Sequence, residues 1–259
     1  MIFADTHTHL YLEEFDPDRD EVIRNAIKNG VEYMFLPNID SSSTEGMLKI
    51  HEKFPRNCFP MIGLHPTSVK ENYLEELALL EKELADGNKK YYAVGEVGID
   101  LYWSREFEGF QLSAFSFQLD LALKYDLPVV IHTRNSFEQA VQVIEEKKNP
   151  AVRGIFHCFG GSVTQALKAT ELGFKLGIGG IITYKNSGLQ KVVEVIDLEH
   201  FVLETDAPFL PPVPYRGQRN ESAFIPVIAQ KIAEIKKIPV EEVAEITTRN
   251  AMNIFKLTN

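Results

Sequence analysis

The chain is poor in the features that mark several large protein classes. It has two cysteines in 259 residues, Cys58 and Cys158, and they show no CxxC spacing. A disulfide framework and a zinc knuckle are both excluded on that count. No apolar stretch approaches the roughly 20 residues that a membrane-spanning helix needs. The first residues show no basic region followed by an apolar run and a small-residue cleavage site, so no secretory signal is read. Positive charge is also scarce: 27 Lys and Arg face 37 Asp and Glu, a net charge of -10. That balance argues against coating a nucleic-acid backbone, which takes clustered cations. It leaves room for local capture of a small anionic group. GxSxG, GxxxxGK[ST] and GxGxxG are all absent, which removes support for a serine nucleophile, a P-loop and a dinucleotide site. A cytoplasmic protein with no membrane association and no obligate protein partner is the resulting expectation.

What the chain does have is a recurring pattern. Eight short apolar, β-prone runs lie near 2–5, 32–37, 59–63, 91–95, 128–132, 153–157, 174–178 and 201–205. Their Val, Ile, Phe and Tyr content suits buried parallel strands. Helical periodicity fills the gaps. Leu74, Leu77, Leu80 and Leu84 recur at three- and four-residue steps before a candidate C-cap at Gly87, and Phe107, Phe110, Ala114, Phe117 and Leu121 do the same. SSSTEGMLKIHEKF offers N-cap hydroxyls before an apolar stripe. The last 35 or so residues read as two helices divided at Ile238-Pro239, because proline cannot continue a helix interior. Alternating strands and helices imply a parallel sheet with crossover helices. The count of eight favours a TIM (β/α)8 barrel over an open sheet, as one domain over residues 1–259 with C-terminal helices. The proline-rich stretch 208–222 reads as a long loop after the eighth strand, at the active-site face.

Polar residues gather where these runs end. His7 and His9, an HxH pair, share one face of an extended segment, with Asp5 in the same register. Glu96 follows the fourth run between Gly95 and Gly98; His132 and His157 end the fifth and sixth; Asp206 follows the eighth. A carboxylate at such a place is costly to bury unless paired or metal-bound. Each residue alone has a plain structural reading: a core histidine, a loop glutamate, an Asx turn before Pro208. Their recurrence at equivalent strand ends points instead to one polar site ringed by a barrel. The chemistry that fits is metal-assisted hydrolysis. One ion would be held by His7, His9, Glu96 and Asp206 and a second by Glu96, His132 and His157, activating water for attack on phosphorus or carbon. Imidazoles with carboxylates admit Mg, Mn or Zn. In this scheme Glu96 bridges the two ions and Asp206 serves as ligand and base, with Glu204 behind the ligands. His65, in GLHPTS, is a rim donor to a substrate anion, and Arg134 can bind phosphate in bidentate fashion. Arg216, Arg219 and Lys185 are further rim candidates, whereas His51 and His200 carry no catalytic expectation.

These residues sit in motifs that resemble the TatD family of metal-dependent deoxyribonucleases, within the amidohydrolase superfamily. The landmarks are DTHTHL at 5–10, GLHP at 63–66, GEVGIDLYW at 95–103, LPVVIHTR at 127–134, HCFGG at 157–161, LETDAPFL at 203–210, RGQRNE at 216–221 and TTRNAMNIF at 247–255. The resemblance implies a TIM barrel, a divalent-metal centre and hydrolysis of DNA, often from single-stranded or free ends. It carries the metal role to His7, His9, Glu96, His132, His157 and Asp206, and substrate contact to His65 and Arg134. The chain departs from the family pattern at Thr67, where a second histidine is common, and at Ser222, where proline often follows RNE. Two alternatives remain beside the nuclease: hydrolysis of a small ester, amide or lactone, and a non-catalytic metal-binding scaffold.

Overall fold

A computed structural model describes residues 1–257. Eight parallel strands alternate with helices. The strands are β1 (Phe3–Asp5), β2 (Val31–Leu36), β3 (Cys58–Pro60), β4 (Val94–Asp100), β5 (Val129–Arg134), β6 (Gly154–Phe156), β7 (Lys175–Ile178) and β8 (Phe201–Leu203). The α-helices are α1 (Arg19–Lys28), α2 (Thr44–Lys53), α3 (Tyr73–Asp86), α4 (Glu108–Lys124), α5 (Phe137–Glu146), α6 (Val163–Glu171), α7 (Leu189–Val195), α8 (Ile225–Lys236) and α9 (Val240–Ile254). Continuous ladders run β1-β2-β3 and β4 through β8. Two seams join them into a barrel. Tyr92 and Ile62 donate to Pro60 and Ala93 (2.9 and 3.1 Å), and Gly95 donates to Ile62 (2.8 Å). Across the other seam Thr6 donates to Leu203 (2.9 Å), Asp206 to His7 (2.9 Å) and His9 to Ala207 (2.8 Å). The second seam explains how Asp206 meets residues some 200 positions away.

The core has two parts. One lies between strands and helices. The other contains Ala4, Phe35, Phe59, Val130, Ile155 and Val202, and the end of α9 enters it through Ile254 and Phe255. Phe255 stacks on Phe35 with ring centroids 3.8 Å apart, filling the barrel away from the polar strand ends. The terminal motif therefore has a packing role. No helix among the described residues is long and apolar enough to cross a membrane.

Several local expectations shift. The fourth strand does not end at residue 95: β4 runs to Asp100, pairing through Asp100↔Arg134, so Glu96 lies within a strand and His132 within β5. Glycines hid that extension. Gly98 has φ 137°, and a Cβ there would meet the carbonyl oxygen of His132 at 2.1 Å, so only glycine lets the strands pair this closely. The buried face of α4 is also rotated from the phenylalanine stripe. Ala114 and Leu121 of that stripe are buried, but Phe110 is exposed, while Gln111, Phe115, Gln118 and Leu119 face inward. In α3, Leu77 and Leu80 are buried, Leu74 is exposed, and Gly87 forms the expected left-handed C-cap. α2 starts at Thr44 without a side-chain cap; the Ser43 hydroxyl instead accepts from the backbone of Ile39 and Asp40. The division at Ile238-Pro239 holds, with Pro239 opening α9.

Candidate metal centre

All six expected ligands converge at the C-terminal ends of the strands. Glu96 is at the centre, almost wholly buried, and its two oxygens face different partners. Oε2 lies 3.2 Å from His7 Nε2 and 3.7 Å from His9 Nε2. Oε1 lies 2.9 Å from His132 Nδ1, 3.3 Å from His65 Nε2 and 3.5 Å from His157 Nε2. Asp206 Oδ1 approaches His9 (3.5 Å), His7 (3.7 Å) and His157 (4.0 Å) through their Nε2 atoms. The Asp206 backbone is left-handed, φ 58°, which aspartate tolerates better than branched residues. Its carboxylate is turned into the cluster.

The backs of the rings fix which nitrogens face inward. Tyr11 donates its hydroxyl hydrogen to Pro37 O (2.6 Å) and so accepts from His9 Nδ1 (2.9 Å), leaving the His9 Nε2 lone pair inward. Asp100 Oδ2 accepts from His132 Nε2 at 2.9 Å, leaving His132 Nδ1 inward. Glu204 Oε1 lies 3.1 Å from His157 Nδ1, though the atoms are not aligned for a hydrogen bond. Its Oε2 occupies space over Gly177, where any Cβ would meet it at 2.1 Å. Metal-bound histidines are typically oriented by such carboxylate and hydroxyl partners.

The donor set fits divalent cations on its own geometry. His7 and His9 point their Nε2 atoms at each other 3.2 Å apart, and the His7 ring stacks on His157 at 3.5 Å. His7 Nδ1 is buried with no hydrogen-bond partner, so no neighbour ties up its proton, and with the proton there His7 Nε2 is, like His9 Nε2, a lone pair open to a cation. Groups of potential ligand atoms within 4.8 Å of one another occur at His7, His9 and Glu96; at His65, Glu96 and His132; and at His7, His157 and Asp206. Burial, then the neighbouring His157, lowers His7 to about 4, keeping it a neutral donor. Burial would raise Glu96, but His65, His7 and His157 hold it well below the usual carboxylate range. Burial opposes protonation of His157, yet Glu204 and Glu96 raise it to about 10. Such anionic surroundings favour a bound cation.

His65 comes closer to the centre than a rim position. Its Nδ1 accepts from the Thr67 backbone (3.2 Å) and contacts the Thr67 hydroxyl (2.7 Å). The ring proton therefore sits on Nε2, which makes His65 a donor facing the cluster. Thr67, a departure from the family pattern, supplies this orientation. Arg134 ends β5, is exposed, and lies over the Tyr102 and Trp103 rings. It lines a cavity of about 650 Å³ together with His65, Glu96, His132, His157 and Asp206. The loop after β8 contributes Phe209 and Leu210 to the same cavity.

Other candidates lie elsewhere. Asp5 turns from the cluster and accepts from Thr205 N (2.9 Å), Thr205 Oγ1 (2.6 Å) and His7 N (3.3 Å), stitching β1 to the chain after β8. Burial pushes it up to about 7. Arg219 is held by Asp18 and Glu221 and covers the Phe15 ring. It anchors the loop and is unavailable to substrate. Arg216 packs on Tyr184 at 4.5 Å, and Lys185 is exposed outside the cavity lining. His51 bonds to Cys58 O and His200 ends a 3-10 turn, both away from the site. Sequence reasoning missed Asp100 and Tyr11. Strand alternation could have found Asp100, four residues beyond Glu96 on the same face, had β4 been read at full length.

Comparison with known proteins identifies the family and the fold. Residues 4–256 match the TatD related DNase family. The chain belongs to that family. It is 37% identical over 258 residues to the uncharacterized metal-dependent hydrolase YabD of Bacillus subtilis, covering 99% of this chain and 100% of that protein. The crystal structure of YjjV, a TatD homologue from Escherichia coli K12, superposes with a TM-score of 0.93 at 29% identity, covering 99% of this chain and 98% of that one. A TatD family hydrolase from Entamoeba histolytica shares the fold, with a TM-score of 0.85 at 24% identity over 100% and 99% of the two chains. The TIM barrel is the family architecture, and this TatD-family chain is a metal-dependent hydrolase.

Proposed function

We propose that this TatD-family protein hydrolyses phosphodiester bonds of DNA, removing nucleotides from single-stranded or free ends at a two-metal site. The observation that carries the reading is the division of Glu96, with one oxygen toward His7 and His9 and the other toward His65, His132 and His157. His7, His9, Glu96 and Asp206 would hold one ion, and Glu96, His132 and His157 the other. Mg, Mn or Zn bound there supplies Lewis-acid polarisation of a phosphoryl oxygen and acidifies water. Asp206 accepts the proton of the attacking water at its carboxylate. His65 donates from Nε2 to a non-bridging phosphate oxygen, and Arg134 neutralises the adjacent phosphate from the cavity wall. Local cationic capture of this kind suits an acidic protein better than a long electrostatic footprint does.

The test uses metal-stripped protein, then re-supplied with Mg, Mn or Zn, on single-stranded DNA, duplex DNA, RNA and a panel of small esters, amides and lactones. Release of nucleotides from single-stranded DNA is expected, stopped by EDTA and abolished by His132→Ala or Asp206→Asn. Turnover of an ester or lactone with no cleavage of DNA would overturn the proposal, as would undiminished activity after exhaustive chelation.

A further inference from the structure

We propose that Trp103, braced by Tyr102 and Arg134, is a stacking platform for the nucleobase next to the phosphate at the histidine cluster. This inference rests on the DNA reading above. Trp103 is the only tryptophan in the chain and is 70% exposed, and its neighbour Tyr102 is 53% exposed. Large aromatic side chains left in water at a cavity mouth mark a binding surface. Trp103 lines the cavity with His65, His132 and Arg134.

The lip is held rather than loose. Asp100 Oδ1 accepts from the backbone of Tyr102 at 3.0 Å and of Trp103 at 3.4 Å, while its Oδ2 holds His132. One carboxylate thus fixes both a proposed ligand and the aromatic edge above it. The two rings meet edge to face, with centroids 4.9 Å apart and an 84° interplanar angle. The Arg134 guanidinium lies 3.7 Å from the Tyr102 centroid and 5.1 Å from that of Trp103. The cation is thereby pinned between the aromatic lip and the cluster.

These features together select the ligand class. The cluster, His65 and Arg134 call for an anion. The lip calls for a flat apolar ring within one short linkage of that anion. A nucleotide joins a phosphate to a heteroaromatic base in this way. Stacking is tolerant of sequence because every base presents a π-face, and an arginine beside the ring adds cation–π attraction. Cleavage should accordingly depend on the presence of a base and little on its identity.

The experiment compares kcat/KM on a single-stranded oligodeoxynucleotide with that on the same oligomer carrying abasic residues at its three terminal positions on each end. For the native protein the ratio is expected to be roughly ten, in line with the loss of one base–aromatic stack. In Trp103→Ala it should collapse to about one, and Trp103→Phe should restore most of it. A second readout needs no turnover. Trp103 fluorescence should be quenched by deoxynucleoside 5′-monophosphates and unaffected by deoxyribose 5-phosphate. If the native protein cleaves both oligomers equally, or if the ratio survives in Trp103→Ala, the platform is overturned and the DNA reading stands. If the native protein cleaves neither oligomer, the DNA reading falls and the platform with it.

Discussion

Asp100 accepts a hydrogen bond from His132 across neighbouring strands, at 2.9 Å, and this sets the direction in which the imidazole donates. With a proton held on Nε2, His132 can offer Nδ1, 2.9 Å from Glu96 Oε1, to a cation shared with that carboxylate. Asp100→Asn leaves an oxygen for the backbone of Tyr102 and Trp103, but its NH₂ can present a donor to Nε2. The ring proton would then move to Nδ1, facing the site. A loss of about 10–100-fold in metal affinity or activity is expected, the range for partners behind a metal ligand. Calorimetric titration of the stripped variant with Mn or Zn checks it; an affinity equal to the native value would remove Asp100 from this role.

Glu96→Gln tests the bridge. The amide keeps the size of the side chain but loses its charge and one of its two acceptor oxygens. Five histidines have ring nitrogens within 3.7 Å of the native carboxylate. If the proposed two ions are bound by the native protein, elemental analysis after dialysis should show bound metal falling to one or fewer. Hydrolysis should fall by at least about 100-fold, the scale for removing a group that stabilises developing charge. Two ions retained in the variant would mean that Glu96 does not join the sites.

Asp18 and Arg219 tie the start of α1 to the loop after β8, with bonds of 2.8 and 2.7 Å. The Arg219 guanidinium beside it holds the Asp18 carboxyl below its ordinary value. For a depressed carboxylate, stability is present above the unfolded pKa of about 3.9 and lost as pH falls through the lower folded value. Both side chains are partly in water, so the contribution belongs to the range of about 0.2–1 kcal/mol for solvent-screened pairs. Thermal melts of the native chain and Asp18→Asn should differ by a constant small amount between about pH 5 and 7, then converge as pH falls below the unfolded value and through the lowered folded one. A gap that persists unchanged at pH 2 would show that the pair is not its source.

Much of the site was legible because strand ends are short, apolar and repeated: His7, His9, His132, His157 and Asp206 each stand where such a run stops. The barrel then explains their meeting. What was hidden has physical causes. Gly95 and Gly98 made the part of β4 after residue 95 look like a loop, although the glycines are what allow β4 and β5 to approach, and Asp100 was hidden with them. Arg219 looked like a substrate cation because a sequence does not show Asp18 folding back onto it some 200 residues away. In α4 the aromatic stripe misled for another reason. Backbone groups of β4 and of the turn before His65 needed partners, and buried glutamines met that need better than phenylalanine could.

Gln118 makes that last point testable. Its Oε1 accepts from Leu64 N at 2.7 Å and its Nε2 donates to Leu64 O at 3.2 Å, both in a buried setting. Gln118→Leu preserves bulk but leaves a backbone donor and acceptor without partners. Each orphaned group costs about 1–3 kcal/mol, so a destabilisation of about 2–6 kcal/mol is expected. At roughly 2–4 °C per kcal/mol for a domain of this size, the melting midpoint should drop by about 4–24 °C. Gln118→Glu keeps the acceptor for Leu64 N but loses the donor, and adds a buried charge, so it should not rescue the midpoint. Denaturant unfolding of the two variants settles the matter. A Gln118→Leu protein as stable as the native one would mean that the helix relaxes and water replaces the amide.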